Sequence, residues 1–346
     1  MFLQHRQQGV ALITALLVVS LAAVLAASLV KHLNYDIRRS ENILRLDQAQ
    51  LFNKNSVEFA MVLISRDRQL NNKIDTIEDI QTFNDYAIAI ALDGPPVSLE
   101  LVDLQSCFNL NNLTTANTDL PKMRAQYSKL LTSLEIDINT HRTLTDSLID
   151  WMDGDKQNQA QGAEFDYYIG LDRPYLTADA PLTSISELRL VKGYTGAVID
   201  KLEGTVCVLP NANSGININT ASSIMLDSIE GLGGFGEQIV KDRDGDINTD
   251  NTDNNINDIN AKDVNALDTS NTNPFDDLAE FTKYVKDVLK VEKFDAKGLQ
   301  VYSEYFLIES RTQLGTGNVK LFSIVYRDNS KNNGETKLIN QTSGAL

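Results

Sequence analysis

The sequence predicts an α+β fold in which one long amino-terminal helix supports an antiparallel sheet, and a helical domain is inserted into that sheet. Three observations predict it. An apolar stretch continues directly into a helical repeat, strand-like alternation occurs in two regions far apart in the chain, and short helical patterns fill the region between them.

The amino-terminal helix is predicted from an uncharged stretch and its continuation. Val10 to Val30 carry no charge, and about 21 residues at 1.5 Å each span about 31 Å, close to the thickness of the hydrocarbon core of a bilayer. Apolar residues then recur at helical spacing, and neither glycine nor proline follows before Gly94. This pattern predicts a single-pass membrane anchor that continues, to about Arg68, as the spine of an extramembrane domain.

The strands are predicted at both ends of the extramembrane part. Residues 86–92 and 97–101 alternate on either side of a Gly-Pro-Pro turn and predict a hairpin. Three further strands are predicted near the far end of the chain, at residues 301–308, 319–326 and 337–339. Six short helical patterns between residues 123 and 240 predict the inserted domain.

The chain accordingly divides into five parts. These are a polar leader (1–9), the transmembrane helix (10–30), the spine helix with the first part of the sheet domain (31–112), the inserted α-helical domain (113–240), and an acidic loop with the last part of the sheet domain (241–346).

Composition and motifs argue against two classes of function, nucleic-acid binding and catalysis. The net charge of −16 opposes binding to phosphate backbones. The sequence has no G-x-S-x-G elbow, H-E-x-x-H motif or Walker loop, so we expect no enzyme. Asp153, Asp155, Glu164 and Asp166 could imitate a catalytic carboxylate pair, but nothing in the sequence sets their separation.

The amino terminus resembles the class III leader of type IV pilins and type II secretion pseudopilins. In that superfamily a prepilin peptidase cuts after a glycine and methylates the new terminus, which here implies cleavage between Gly9 and Val10. The fifth mature residue would then be Thr14, where most members carry glutamate. Absence of this glutamate is typical of the type II secretion protein K family, whose members are thought to occupy the pseudopilus tip. A plain signal anchor is the alternative interpretation.

Four internal stretches resemble signatures of the same family. They are residues 103–113, residues 150–155 with 162–168, residues 186–193, and residues 216–221. The resemblance implies a pilin-like sheet domain interrupted by the helical insert. It also implies a non-enzymatic minor pseudopilin that caps or initiates the pseudopilus in protein export. The expected location is the inner membrane of a Gram-negative bacterium, with the large carboxy-terminal domain in the periplasm.

The resemblance also implies partners. These are the minor pseudopilins I, J and H and the prepilin peptidase, with the secretin or an exported protein facing the insert. No nucleic-acid partner is expected.

The two cysteines, Cys107 and Cys207, allow two interpretations. In an oxidising periplasm the pair predicts a disulfide across a long loop. The alternative is two independently buried thiols.

An acidic segment predicts a metal site. Residues 242–277 contain ten aspartates against Arg243 and Lys262, a net of −8. Oxygen-bearing side chains at alternate positions allow a loop to wrap around a calcium ion and coordinate it, although the spacing is not that of an EF-hand. Calcium in the protein K family favours this interpretation over a solvated loop. The predicted ligands are Asp242, Asp244, Asp246, Asn248, Asp250 and Asp253, with Glu164, Asp166, Asp276 and Asp277 from outside the run.

The insert also resembles a helix-hairpin-helix (SAM-like) module. Residues 217–240 carry the pattern, with a second copy at residues 186–196. Such a hairpin can hold a DNA phosphate, so a minor pilin of a type IV pilus or DNA-uptake machine is the alternative function. Asp227, Glu230 and Glu237 surround the phosphate position and oppose that alternative.

Overall fold

The computed structural model describes residues 8–69, 74–89, 97–245, 273–314, 317–330 and 334–343. The helices are α1 (Gln8–Gln69), α2 (Ile77–Ala89), α3 (Leu120–Ser133), α4 (Ile138–Met152), α5 (Phe165–Ile169), α6 (Gly196–Leu202), α7 (Ser223–Ser228), α8 (Gly236–Asp244) and α9 (Leu278–Asp287), with 3-10 turns at Leu110–Leu113 and Ile185–Leu190. The strands are β1 (Val97–Asp103), β2 (Phe108–Asn109), β3 (Val206–Cys207), β4 (Ile216–Asn217), β5 (Leu299–Gln300), β6 (Tyr305–Leu314), β7 (Gly317–Arg327) and β8 (Thr336–Thr342).

The predicted amino-terminal helix is confirmed as one continuous helix. Helix α1 contains 62 residues and ends at Gln69, with Arg66 and Arg68 in its last turn, where they complement the helix dipole. Its amino-terminal part is long and apolar enough to cross a membrane.

The sheet is antiparallel and is assembled from both ends of the extramembrane chain. Its order is β1-β6-β7-β8, so the first strand pairs with a strand that follows about 200 residues later, Val97 opposite Thr312. The carboxy-terminal half of α1 packs on one face through Val57, Ala60 and Ile64. The predicted interruption of the sheet by an insert is therefore confirmed.

The predicted hairpin before β1 is wrong in its first arm. Residues 77–89 form helix α2, which contacts β1, so the arm is wrong over residues 86–89; its residues 90–92 and the Gly-Pro-Pro turn lie outside the described residues. The helix begins at a reciprocal cap, in which Thr76 Oγ1 donates to Asp79 and accepts from the Asp79 backbone N–H. The short apolar alternation of residues 86–92 suited either structure, and the capped start with packing on β1 favours the helix.

The helical domain is larger than predicted. Its core includes Phe108 and Leu110 before the predicted boundary at 113, and Phe281, Val285 and Leu299 beyond the predicted boundary at 240. Helix α9 was assigned by sequence to the sheet domain, but its apolar face completes the core of the helical domain. This domain therefore extends from β2 to the start of β6.

Candidate metal centre

Helix α4 carries three buried acids on one face. Asp146, Asp150 and Asp153 follow one another at positions i, i+4 and i+7, the spacing of one helical stripe. Asp153 is also the C-cap, so its carboxylate lies at the negative end of the helix dipole. This end of α4 therefore concentrates negative charge in a buried position.

The loop that follows α4 folds back along this stripe. Its backbone N–H groups donate to the acids, Gln161 N to Asp146 Oδ2 at 3.1 Å and Gln159 N to Asp150 Oδ1 at 3.0 Å. A Cβ atom on Gly162 would lie 1.8 Å from Asp150 Oδ2, so the close approach requires glycine. The loop thereby returns the chain to the end of α4.

The returning chain brings the Glu164 carboxylate to that end, close to Asp153 and Asp155. Oxygen atoms of Asp153, Asp155 and Glu164 all lie within 4.8 Å of one another. Asp153 is 6% exposed and Glu164 is 4% exposed, and none of their four carboxylate oxygens has a hydrogen-bond partner within the described residues. Buried polar atoms are nearly always satisfied by a partner, so these four oxygens indicate a missing ligand.

The electrostatics of the cluster lead to the same conclusion. The pKa of Glu164 is raised to about 7, mainly by burial and in addition by the neighbouring Asp150 and Asp153 carboxylates. Burial raises the pKa of Asp153 to about 6, with additional contributions from Asp155 and Asp150. Each ionised form is unfavourable because no cation compensates these carboxylates within the described chain.

The donor set fits a hard divalent cation. Calcium takes about six to eight oxygen ligands at about 2.3 to 2.6 Å from carboxylates, carbonyls and water. Asp153, Asp155 and Glu164 would supply the carboxylates, and exposed Asp155 leaves room for water on one side. Trp151, two residues before Asp153, is buried and packs its ring on that of Tyr168 at 5.2 Å between centroids.

The structure separates the ligands predicted from sequence. Glu164 belongs to the cluster, whereas Asp166 is exposed in the first turn of α5. Asp242 accepts a 2.6 Å hydrogen bond from Tyr284 Oη, and Asp244 pairs with buried Arg243. Asp276 and Asp277 lie at the start of α9, where the Asp276 backbone N–H donates to the Glu280 carboxylate and Asp277 Oδ1 accepts from the Glu280 backbone N–H. The remaining predicted ligands lie outside the described residues; they are Asp246, Asn248, Asp250 and Asp253.

Sequence reasoning did not choose Asp153 and Asp155 as metal ligands. The signal was present, since an Asp-x-Asp pair precedes the Gly-Ala-Glu of residues 162–164. The distance between the two stretches is set by the folded-back loop, which the sequence does not reveal. The ten aspartates of the acidic segment gave a stronger compositional signal.

The remaining predicted positions are on or near the expected elements. Cys107 and Cys207 form the predicted disulfide, with Cα atoms 5.9 Å apart, beside the parallel pairing of β2 with β3. Gly9 and Val10 lie in the first turn of α1, and Thr14 Oγ1 donates to the Ala11 carbonyl at 3.0 Å. Residues 1–7 of the predicted leader lie outside the described residues.

The residues that resemble a helix-hairpin-helix module do form a hairpin of two helices, but its phosphate position is occupied by the protein's own carboxylate. Helices α7 and α8 form a hairpin with Gly231 and Gly234 at positive φ. Asp227 Oδ1 accepts hydrogen bonds from Gly234 N and Gly236 N, both at 2.8 Å. The chain's own carboxylate therefore engages two backbone donors of the hairpin, which an incoming phosphate would need.

Comparison with known proteins gives one family. The family profile described as "Type II secretion system (T2SS), protein K" matches residues 106–211. The chain is 31% identical over 226 residues to Type II secretion system protein K of Aeromonas hydrophila, covering 62% of this chain and 68% of the relative. It is 32% identical over 227 residues to the Pseudomonas aeruginosa protein of the same name, covering 64% and 67%.

A solved structure has the same fold. It is the GspK–GspI–GspJ complex from the type 2 secretion system of enterotoxigenic Escherichia coli. The match has a TM-score of 0.67 at 20% identity and covers 89% of this chain and 100% of the matched chain. The overall fold is thus shared with a chain of that complex.

Proposed function

Because the chain belongs to the type II secretion system protein K family of minor pseudopilins, we propose that it is the tip subunit of the periplasmic pseudopilus. Helix α1 anchors it in the inner membrane before assembly, and prepilin peptidase processes it between Gly9 and Val10. Its work is assembly, without catalysis, and its partners are the minor pseudopilins I, J and H. Its distal helical domain faces the secretin or the exported protein.

The unpartnered part of α1 carries this proposal. Burial on the sheet begins only at Ala49, and residues 11–48 are exposed on all sides of the helix. About 18 of these residues lie beyond the predicted membrane span, a helical length of about 27 Å. They include Leu33, Ile37 and Leu44, which are 56%, 55% and 61% exposed. A helical segment outside the membrane that exposes these apolar side chains needs apolar partners, and the helices of other pseudopilins supply them.

The position of the chain at the tip is supported by Thr14. A lone carboxylate in the membrane-spanning helix is costly unless it is paired with a cation of another subunit. Thr14 satisfies its hydroxyl within α1, on the Ala11 carbonyl, and requires no such cation. A subunit with this residue can therefore stand above the others without leaving a buried charge.

Calcium is the proposed cofactor, and we place it at Asp153, Asp155 and Glu164. The four unsatisfied buried oxygens support this position better than the acidic segment does, where Asp242 and Asp244 already have protein partners. When bound, the ion would compensate the carboxylates at the end of α4 and fix the loop of residues 154–164.

The alternative function as a DNA-uptake pilin is not favoured. It requires a phosphate at the α7–α8 hairpin, where the Asp227 carboxylate accepts both glycine N–H groups. The charge of −16 adds long-range repulsion.

The test of assembly uses the exposed part of α1. Serine at Leu33, Ile37 and Leu44 together should abolish co-purification with pseudopilins I and J and stop secretion, because apolar contact with the partner helices is lost. Ile138→Ser, which removes a 72% exposed side chain of the helical domain, is the matched control and should leave co-purification with pseudopilins I and J unchanged. Undiminished co-purification of the triple variant would contradict the proposal.

A further inference from the structure

One lysine side chain contacts the chain on both sides of Glu164. The ammonium group of Lys192 donates to the Gly162 carbonyl at 2.9 Å, just before Glu164 in the chain. The same group lies 5.1 Å from the centre of the Tyr167 ring, just after Glu164. A longer contact, at 3.4 Å, goes to the Gln161 carbonyl. Lys192 therefore connects the segment that enters Glu164 with the segment that leaves it.

The backbone of Lys192 is held by α4 and α5. Val191 and Tyr194, on either side of it, are buried, and Tyr194 Oη donates to the Leu144 carbonyl of α4 at 3.2 Å. The Lys192 N–H donates to Tyr168 Oη of α5 at 3.2 Å. Since these contacts belong to the core of the helical domain, the ammonium group extends from a fixed part of the chain to the loop that carries Glu164.

The loop of residues 154–164 is thus held through two kinds of backbone group. Its N–H groups at Gln159 and Gln161 donate to the acids of α4, whereas its carbonyls accept from Lys192. The Glu164 carboxylate itself has no hydrogen-bond partner within the described residues, although both of its oxygens are buried. Its position therefore depends on the backbone on either side of it.

The charge of Lys192 and its contacts would act on a bound cation in opposite directions. Within the described part of the chain no carboxylate contacts the ammonium group, whose partners are two carbonyls and one ring. A positive charge near a metal site opposes cation binding. Contacts that hold a metal ligand in place favour it. A substitution at Lys192 therefore reveals which of the two effects is larger.

We propose that Lys192 is a positioning residue for the calcium site proposed above, on which this role depends. By joining the Gly162 carbonyl to the Tyr167 ring, it fixes the backbone on both sides of Glu164 and holds the Glu164 carboxylate beside the other acids of the cluster. The stretch of residues 186–193, which contains Lys192, thereby contributes to the metal site without supplying a ligand.

Calcium titration calorimetry of the full chain in detergent micelles at pH 8 tests this role. Lys192→Met removes the ammonium group, keeps most of the apolar stem, and should weaken calcium binding about tenfold, as expected when a group that orients a metal ligand is lost. Lys192→Arg keeps a cationic donor that can also lie over a ring, and it should recover most of the affinity.

Lys201→Met is the matched control. Lys201 Nζ also donates to a backbone carbonyl, that of Glu135 at 2.7 Å, but Glu135 lies just before the start of α4 and the cluster lies at its end. This variant loses the same kind of contact far from Glu164, so it should bind calcium with the affinity of the wild type.

Terbium in place of calcium reports on the ligand itself. Luminescence lifetimes of the bound ion in H2O and in D2O give the number of water molecules on it. If Glu164 withdraws in K192M, water takes its place, and the ion should carry more water than in the wild type or K201M. A variant that is merely less stable would fill fewer sites and leave the water count of each filled site unchanged.

The outcomes separate the role of Lys192 from the metal site. Calcium binding by K192M that equals or exceeds that of the wild type, with an unchanged water count, would overturn the positioning role and leave the site in place. If the wild type binds no calcium, or Glu164→Gln binds it equally well, the site itself is wrong and the role falls with it.

Tyr167→Leu tests the role if K192M does not fold. Tyr167 is 42% exposed, so its replacement leaves the core of the helical domain closed, and the variant loses only the ring contact of Lys192. It should bind calcium more weakly than the wild type and should carry more water on bound terbium. Wild-type values for both measurements would refute the positioning role.

Discussion

Removing the Glu164 carboxylate should abolish the calcium response of the protein and stabilise the metal-free form. In Glu164→Gln the buried ionised group is replaced by a neutral one of nearly the same shape. The rise of the Glu164 pKa from 4.5 to about 7 corresponds to about 3 kcal/mol of unfavourable charge burial at pH 8. We therefore expect the chelated variant to unfold at a higher temperature than the chelated wild type.

Calcium should stabilise the wild type. At a hundredfold excess over Kd it contributes about 2.7 kcal/mol, or about 5 to 10 °C in Tm for a domain of this size. Both carboxylates must lose their protons to bind the ion. Because their pKa values are about 6 for Asp153 and about 7 for Glu164, the calcium shift should be large at pH 8 and small at pH 5. Magnesium should restore less stability, since it demands tight octahedral geometry.

The assay is differential scanning calorimetry of the full chain with calcium or chelator at both pH values. The triple change Asp242→Asn, Asp244→Asn and Asp246→Asn is the comparison, because it alters the acidic segment and leaves the cluster intact. We expect the triple variant to keep the calcium shift and E164Q to lose it. A calcium shift that survives in E164Q and disappears in the triple variant would refute the reasoning and return the site to the acidic segment.

Three further predictions concern covalent structure and close packing. The mature chain should begin at Val10, probed by the mass of its amino-terminal peptide, and a bulky residue in place of Gly9 should block cutting. Cys107→Ser should destabilise the protein by about 4 to 5 kcal/mol in denaturant titrations, because a loop of 100 residues is no longer closed. Gly162→Ala should weaken the calcium response, measured by the same calorimetry, since the new methyl group displaces the Asp150 carboxylate.

Features with a local cause could be predicted from the sequence. Helix α1 followed from an uninterrupted apolar run without glycine or proline, and β7 coincides with the predicted strand at residues 319–326 apart from its end residues. Strand β6 overlaps the prediction of residues 301–308 only at residues 305–308, and β8 extends beyond the predicted residues 337–339 at both ends. The disulfide followed from there being only two cysteines in an expected oxidising compartment. In each case neighbouring residues, or the count of one residue type, carried the information.

Features that depend on tertiary contacts could not be predicted. Residues 86–89 alternate like a strand but belong to a helix that begins at a cap ten residues earlier and contacts β1. Helix α9 follows the acidic segment in the chain, yet it packs Phe281 and Val285 into the core of the helical domain. The predicted domain boundary at residue 240 left this helix out. The candidate metal centre likewise depends on a loop that folds back to α4, and the separation in sequence between Asp153 and Glu164 gives no distance.

The most direct test of the tip assignment is the composition of the assembled complex. Native mass spectrometry of complexes extracted from the inner membrane in detergent should find one copy of this chain together with the minor pseudopilins I and J. The same count should hold in longer filaments, since a subunit at the tip occurs once per filament however long it grows. Several copies of this chain in one filament, or a chain recovered without either partner, would contradict the account.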